Sequence, residues 1–409
     1  LTQLHKPLAH LHTQFNRALP WSDIDMDFMN LNQSAHGDRE FGFIAARLGI
    51  ERRIVVGHWQ DSDVAKELES WARVACAVAE SRALKIVRFG GMNMREVAVT
   101  GGDRVEAQIR LGWSVNGFAV GDLVERIAGV ADFQVDDLVE EYESLYSVAP
   151  PLLEGGALRT NLRDAARQEI ALRAFLREGA YGAFTTTFED LHGLVQLPGL
   201  AVQRLMAEGF GFGAEGDWKT AALVRLMKVL AKGQTGGGVS FMEDYTYHLE
   251  PGEERVLGAH MLEVCPSIAD GKPSLEAHPL GIGGKAAPCR LVFDSAPGQA
   301  VAASLVDMGG RMRLIVQEAD AVRAEHSMPK LPVARALWIP RPDFKRGCQA
   351  WLLAGGAHHT SFSQIVTAEQ LEDLANILGV EFIRIGFGTE LTALKNMLRW
   401  NDAAYRQAR

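Results

Sequence analysis

The sequence has no apolar run long enough to cross a bilayer, and its N-terminal stretch LTQLHKPLAHLHTQF lacks the apolar core of a secretory signal. Lysine and arginine form no dense stripe, and the formal net charge is -9 at pH 7. These absences argue against a membrane protein and against a nucleic-acid-binding protein. The first residue is not Met, so we expect the chain to be processed or trimmed.

Cysteine is scarce and scattered. The 409 residues include only four cysteines, and no two of them form a CxxC pair. A disulfide scaffold is therefore excluded, and a reducing cytoplasm is the expected location. Hydrophobic residues make up 47% of the chain, which is ordinary for globular proteins. A chain of this length exceeds one hydrophobic core, so we expect two or three domains.

The pattern of apolar residues changes along the chain. ERRIVVGHW, from residue 51, and LKIVRFG, from residue 84, are typical of strands, and they flank a helix whose apolar stripe is predicted at Leu68, Trp71, Ala72 and Ala75. Helical periodicity dominates from about residue 100 to the flexible GQTGGG segment at 233–238. Many strands and few helices follow, which favours a barrel or a sandwich. We predict an α/β protein with domains at 1–84, 85–238 and 239–409.

Two local signals bear on chemistry. GFGAEG, residues 211–216, matches the GxGxxG pattern of dinucleotide sites, but a predicted helix precedes it where the fingerprint requires a strand. We reject the match and note that the glycines could present Glu215 inward. The pair Thr367 and Gln370 resembles a capping box at the start of a later helix.

Four separated residues could together hold a metal ion. Glu215 lies in the glycine-rich turn, Glu243 and His260 lie in apolar strands, and His359 follows His358 after the apolar run AWLLAGG, which we predict as a strand. Each has an ordinary alternative, since a lone strand Glu usually faces solvent and a lone His is often a core residue. As a set, two carboxylates and two imidazoles suit Mn²⁺, Co²⁺ or Mg²⁺ better than a structural zinc.

Several motifs resemble those of the L-arabinose isomerase family. They run along most of the chain: HTQFN (12–16), MDFMNLNQSAHGDREFGF (26–43), NMREVAVT (93–100), TTTFEDLHGL (185–194), AEGDWKT (214–220), SFMEDYTYH (240–248), GAHMLEVCPSIA (258–269), MPKLPVARALW (328–338) and LAGGAHHT (353–360). The resemblance implies a remnant Rossmann-like N-terminal part, an α/β central domain and a C-terminal β-barrel-like domain with helices. It also implies that this chain begins part-way through the N-terminal domain, so we expect an incomplete sugar pocket.

The resemblance also implies an activity and a site. Members interconvert L-arabinose and L-ribulose, and more slowly D-galactose and D-tagatose, with Mn²⁺ bound by two glutamates and two histidines. Matched motif by motif, the metal ligands are Glu215, Glu243, His260 and His359. Glu215 and Glu243 would also be the catalytic carboxylates that move the proton between neighbouring carbons.

Further residues and partners follow from the same resemblance. His12, Met94 and Phe188 match motifs that line the sugar pocket, although a surface histidine and two core apolar residues are equally good alternatives. Asp217 and Lys219 flank the first metal ligand, and Asp217 could simply cap the next helix. The expected partners are a small sugar and other copies of the chain, in a homo-oligomer (hexamer or tetramer) with active sites between subunits.

Two other classes of protein stay open at this point. A non-catalytic sugar-binding protein would need no Glu/His metal set and would usually be exported. A metallohydrolase or cupin-like enzyme could use the same ligand types, but cupin motifs place their histidines close together before a glutamate. His260 and the His358–His359 pair are not arranged in that way.

Overall fold

The computed structural model describes residues 3–4, 6–91, 94–95, 97–281 and 284–407. Over these ranges the helices are α1 Met26–Leu31, α2 Ser34–Arg47, α3 Ser62–Ser81, α4 Arg104–Leu111, α5 Val120–Ala128, α6 Asp132–Leu145, α7 Arg159–Glu178, α8 Gly199–Ala207, α9 Trp218–Ala231, α10 Phe344–Ala354, α11 Ala368–Leu378 and α12 Leu391–Gln407. Among the helices described, none is both long and apolar enough to span a membrane.

The strands over the same ranges are β1 Ala9–His12, β2 Arg53–Val56, β3 Lys85–Phe89, β4 Ser114–Phe118, β5 Ser147–Val148, β6 Ala183–Thr186, β7 Gly211–Gly213, β8 Val239–His248, β9 Arg255–Ala259, β10 Ser274–Ala277, β11 Cys289–Val292, β12 Gly298–Asp307, β13 Met312–Val322, β14 Arg335–Pro340, β15 His359–Ser363 and β16 Glu381–Ile385. Short 3₁₀ turns cover Pro150–Leu152, Phe188–Asp190 and Pro266–Ile268. The expected mixed α/β class is confirmed.

Two of the sheets are parallel. β1 and β2 form a two-stranded sheet, with His12 opposite Val56. A four-stranded sheet has the order β4-β3-β6-β7, and each neighbouring pair in it is parallel. Its inner strands are rich in buried apolar residues, as expected when helices cover both faces of a parallel sheet.

The four-stranded sheet changes its direction of winding between β3 and β6. The chain leaves β3 for β4 on one side, and leaves β6 for β7 on the other side. In open α/β sheets, ligands bind in the crevice outside the carboxyl ends of the strands at such a switch point. The carboxyl ends of β6 and β7 lead directly into the segments that carry Phe188 and Glu215.

The remaining strands form a three-stranded sheet, of order β11-β10-β5, and a seven-stranded sheet, of order β12-β15-β8-β9-β14-β13-β16. In the larger sheet β12 pairs with β13 as well as with β15, and only the β13–β16 pair is parallel. The strands β15, β8 and β9 lie side by side, which matters for the site described below.

Aromatic packing connects the four-stranded sheet to the seven-stranded one. The rings of Phe184 on β6 and Phe212 on β7 are 5.1 Å apart, and Phe212 meets Phe241 on β8 edge-on at 5.7 Å. All three side chains are fully buried and belong to one hydrophobic cluster. The two sheets therefore share a core, and edge-to-face geometry of this kind is favourable for aromatic pairs.

Several predicted elements are confirmed, and one predicted helix face is wrong. The capping box at Thr367 and Gln370 is present at the start of α11. In α3 the helix itself is confirmed, but the predicted stripe at Leu68, Trp71, Ala72 and Ala75 is not the buried one. The buried face consists of Val64, Val74, Ala77, Val78 and Ser81, because α3 packs against α9 and α11.

Two other local predictions are corrected. The run AWLLAGG lies at the end of helix α10 and not in a strand; Asp343 caps the start of that helix, and Gly355 ends it in the left-handed conformation. A short apolar run does not distinguish a strand from a buried helix. The glycine-rich turn is preceded by strand β7 and followed by α9, so Glu215 sits in a strand-to-helix turn and not between two helices.

Candidate metal centre

Strand register places two of the four predicted ligands opposite each other, and a third directly follows the neighbouring strand. His359, the first residue of β15, is directly opposite Glu243 on β8. Glu243 is in turn opposite Ala259 on β9, and His260 follows Ala259. Directly opposed residues on neighbouring strands project from the same face of a sheet. Residues far apart in sequence thus become neighbours across three strands.

Glu215 approaches from the other sheet, in the turn that follows β7. Its backbone is in the left-handed region, with φ +58°, which is uncommon for a residue that is not glycine. The amide of the next residue, Gly216, donates to the carbonyl of Thr186 at the end of β6. A Cβ on Gly213 would lie 2.3 Å from the carbonyl oxygen of Asp217, so only glycine fits there. Local backbone strain of this kind is typical of functional sites.

Three of the four ligand candidates form a compact cluster, and the fourth, Glu243, lies beside one of them. One donor atom each from Glu215, His260 and His359 lies within 4.8 Å of the others. Nε2 of His359 is 3.7 Å from the Glu215 carboxylate, and Nε2 of His260 is 3.6 Å from the Glu243 carboxylate. His358 also reaches Glu215, at 3.8 Å, but it is partly exposed whereas His359 is fully buried.

The other nitrogen of each ligand histidine is held by a carboxylate. Nδ1 of His260 is hydrogen-bonded to Glu263, and Nδ1 of His359 is 3.3 Å from Asp217. These contacts leave Nε2 of each ring directed toward the glutamates of the cluster. A carboxylate behind a histidine ligand fixes its tautomer and increases its basicity. Phe241 packs edge-on against both rings at 5.1 Å.

The charges of the cluster shift several pKa values. Burial opposes the charged form of His260, but Glu263, Glu243 and Glu215 outweigh burial and raise its pKa to about 9. Burial also raises the pKa of Glu215, yet the surrounding imidazoles hold it below its ordinary value. Glu215 is therefore ionised at neutral pH. Burial and the charge of Glu243 raise the pKa of Asp244 to about 7.

A buried lysine supports the Asp217 side of the cluster. Nζ of Lys219 is 3.1 Å from the Asp217 carboxylate and donates to the carbonyls of Val99, Thr100 and Gly101. Burial disfavours a charged Asp217, but the ammonium of Lys219 and the ring of His359 hold its pKa well below its usual range. Asp217 also caps α9 by accepting from the amide of Thr220. The predicted capping role and a contact to the site are thus both present.

The donor set fits a divalent metal ion. Nε2 of His359 is buried and has no hydrogen-bond partner among the residues that the structure describes. A buried polar atom without a partner is unfavourable, and a bound ion would provide the partner. Two carboxylates and two imidazoles are a hard-to-intermediate set that suits Mn²⁺, Co²⁺ or Mg²⁺.

The predicted sugar-contacting residues occupy different places. Phe188 follows β6 and packs in a small apolar cluster with Met261, the residue after His260. Met94 is partly buried, and the amide of its neighbour Arg95 donates to Glu189, beside Phe188. His12 lies on β1, in the two-stranded sheet, and its ring contacts are with Asp38 and His10. Within the described ranges, the structure brings Met94 and Phe188 near each other and leaves His12 in a separate cluster.

The sequence prediction missed Glu263 and Phe241. Glu263 lies three residues after His260, beyond the end of β9, where no periodic pattern indicates that its side chain turns back. Phe241 was visible only as one of several apolar residues on β8. Two glutamates and two histidines, gathered between a parallel α/β sheet and a second sheet, define a candidate divalent-metal enzyme of the mixed α/β class.

Comparison with known proteins gives the family. Models of the L-arabinose isomerase N-terminal, central and C-terminal domains match residues 1–83, 85–233 and 238–381. The L-arabinose isomerase of Geobacillus stearothermophilus is 62% identical over 406 residues, which are 99% of this chain and 81% of that protein. Those of Anoxybacillus flavithermus and Herpetosiphon aurantiacus are 63% and 58% identical, over 98% and 100% of this chain and 80% and 81% of theirs. The chain belongs to the L-arabinose isomerase family.

Proposed function

We propose that the chain isomerises L-arabinose to L-ribulose, and also D-galactose to D-tagatose, with Mn²⁺ as its metal ion and Co²⁺ or Mg²⁺ as alternatives. The observation that carries the proposal is the convergence of Glu215, His260 and His359 in one cluster, with Glu243 beside His260. It occurs in a chain that is 62% identical to a relative named L-arabinose isomerase.

The residue types suit the reaction. Moving a carbonyl from C1 to C2 of a sugar requires removal of a proton from one carbon and its return to the next. Glu215 and Glu243 are the carboxylates available for that transfer, and ionised Glu215 can accept a proton at neutral pH. A divalent ion bound here would stabilise the negative charge that develops on the sugar oxygens. Glu263 and Asp217 hold the two histidines in position for this chemistry.

The sugar would bind outside the carboxyl ends of β3 and β6, where Met94 and Phe188 provide apolar surface. His12 is the third sugar contact that we propose. Because it belongs to a separate cluster, it would serve the centre of another subunit in a homo-oligomer, a hexamer or tetramer with sites between subunits. Four unpaired thiols are consistent with a location in the reducing cytoplasm.

Finer features of the fold belong to the same proposal. The C-terminal domain, 239–409, is barrel-like, which is supported by the pairing of β12 with both β15 and β13. The N-terminal domain, 1–84, is Rossmann-like, which is supported by the parallel pair β1 and β2 with helices beside it. The central domain spans 85–238.

The deciding experiment is a sugar assay on chelator-stripped protein before and after Mn²⁺ is restored. We expect ketose from L-arabinose only with metal, and at least about a thousandfold loss in Glu215→Gln and Glu243→Gln, the scale on which removing a catalytic group acts. Glu250→Gln is the matched control, because Glu250 is an exposed residue in the turn after β8. If the protein binds sugar but does not convert it with any of these metal ions, the isomerase proposal is refuted and the sugar-binding alternative is favoured.

A further inference from the structure

A second cluster of metal-binding side chains lies on the two-stranded sheet. His10 and His12 are two residues apart on β1, so their side chains leave the same face of the strand. Their ring centroids are 6.3 Å apart. Asp38, from helix α2, reaches the same face from the side. One donor atom from each of the three residues lies within 4.8 Å of the others.

Asp38 is the centre of this cluster. Its Oδ2 is 2.6 Å from Nδ1 of His12 and 3.5 Å from Nε2 of His10. The hydrogen bond from His12 is the main cause that lowers the pKa of Asp38, so the carboxylate is ionised at neutral pH. Phe41, one turn further along α2, packs edge-on against the His10 ring at 4.8 Å and fixes its orientation.

The His10 ring lacks a hydrogen bond that its burial requires. Its side chain is only 11% exposed; Nδ1 has no hydrogen-bond partner among the residues described, and Nε2 has only the long 3.5 Å contact to Asp38. Burying an imidazole whose nitrogens are not fully hydrogen-bonded is unfavourable, and a bound ion would provide the stronger partner that Nε2 lacks. The 3.5 Å between Nε2 of His10 and Asp38 is close to the separation of two ligands that share one ion.

We propose that His10, His12 and Asp38 form a Zn²⁺ site, distinct from the candidate metal centre. Two imidazoles and one carboxylate are nitrogen-rich compared with the two-glutamate set of the candidate metal centre, and they suit zinc. Three protein ligands leave a fourth position open, and the 30% exposure of His12 and of Asp38 lets water fill it. None of the three residues is a ligand of the candidate metal centre, so the site does not rest on the isomerase function. A His12 that binds zinc would not also contact the sugar as proposed above, so the zinc site replaces that role of His12.

Zinc binding requires one small rearrangement. Two ligands at about 2.0–2.1 Å from a tetrahedral ion are about 3.3 Å apart, so His12 and Asp38 must separate by about 0.7 Å from their present hydrogen bond. The proton on Nδ1 of His12 then moves to Nε2, which is the other neutral tautomer. Both side chains are partly exposed, so this movement meets little resistance from packing.

Zinc stoichiometry tests the proposal. In the protein that carries His260→Ala and His359→Ala, the candidate metal centre is disabled, and equilibrium dialysis against Zn²⁺ should still find one ion per chain. Adding His10→Gln or Asp38→Asn should weaken that binding by more than about tenfold, since even outer-shell changes to histidine ligands have such effects. His36→Gln, an exposed histidine on α2, is the matched control and should change nothing.

The outcomes separate this site from the isomerase proposal. If the double variant fails to fold, the same comparison is made on the wild type, where His10→Gln should lower the total from two ions to one. Undiminished zinc binding in His10→Gln, or none in the His260→Ala/His359→Ala protein, overturns the site. If the wild-type protein loaded with Mn²⁺ converts no sugar while one zinc still binds at this cluster, only the isomerase proposal is overturned.

Discussion

Oδ2 of Asp217 lies 3.3 Å from Nδ1 of His359, although Asp217 is the N-terminal cap of α9 and His359 is the first residue of β15. This contact joins the segment after Glu215 to the strand pair that carries Glu243. It fixes which nitrogen of His359 faces the cluster, because a carboxylate accepts from a protonated Nδ1.

The first prediction concerns this contact. Asp217→Asn should weaken Mn²⁺ binding by about 10–100-fold, because the amide no longer selects one tautomer of His359 and no longer balances Lys219. Isothermal titration with Mn²⁺ measures the change. Asp343→Asn is the matched control, since Asp343 also caps a helix, α10, and lies outside the cluster. It should reduce stability by about 1 kcal/mol and leave metal affinity unchanged. Equal metal affinity in both variants would contradict the prediction.

The second prediction concerns Lys219. Lys219→Met should lower the free energy of unfolding by about 3–5 kcal/mol, because it leaves Asp217 charged and buried without its cation. The carbonyls of Val99 and Thr100 also lose their donor. Urea unfolding of this variant, of Asp217→Asn and of the double variant forms a cycle. The double variant should lose less than the two single losses combined, and strict additivity would show that the pair is not coupled.

The third prediction is that Mn²⁺ affinity depends on pH and that Glu263 sets this dependence. His260 must be neutral to bind a metal, and its pKa of about 9 means that a proton competes with the ion at neutral pH. Mn²⁺ affinity should therefore rise by up to about tenfold per pH unit as the pH increases toward 9. Glu263→Gln removes the main cation-stabilising charge and should lower the pKa of His260, so the rise levels off at lower pH. Metal titrations across pH 6–9 test this, and identical profiles would exclude Glu263 as the cause.

The fourth prediction concerns stability in acid. Glu381 is buried and accepts from Arg311 and Asn401, with Arg313 at 3.0 Å. Burial raises the pKa of Glu381, but these partners outweigh it and hold the pKa below its ordinary value of 4.5. The carboxylate therefore contributes stability that is fully present above pH 4.5 and is lost as the pH falls through its lower, folded-state pKa.

The variant that tests this contribution of Glu381 to stability is Glu381→Gln. It should lower the free energy of unfolding by about 3–5 kcal/mol at pH 7, because two buried arginines lose their counter-charge. Its thermal unfolding should also vary less with pH below 4.5 than that of the wild type. Glu140→Gln, at an exposed position on α6, should resemble the wild type in both respects. A Glu381→Gln protein with an unchanged acid profile would refute the assignment.

Local signals predicted much of the fold. The capping box of α11 depends only on neighbouring residues, and it is present. The buried face of α3 was wrong because it is chosen by the partners α9 and α11, which are distant in sequence. The helix at AWLLAGG was missed because an apolar run of that length fits either structure.

The candidate site was likewise predictable only in part from the sequence. The four ligand candidates could be named from motifs, but the register that places His359 opposite Glu243 cannot be read from spacing alone. Asp217 shows the difference between a local property and a long-range contact. Its capping role is a local property that the sequence predicts, whereas its contact with His359 spans 142 positions and arises only from the packing of α9 against β15.

The four ligand candidates lie on or next to two different sheets, and this has a consequence for unfolding. Glu243 and His359 belong to the seven-stranded sheet and His260 directly follows its strand β9, whereas Glu215 belongs to the turn after the four-stranded sheet. An ion shared by the four residues would act as a crosslink between two layers of the molecule. Its affinity would then add to their mutual cohesion, since a ligand that binds only the native state stabilises it. Removing the metal should therefore lower the temperature at which the two layers separate. The melting transition should then broaden or split in two.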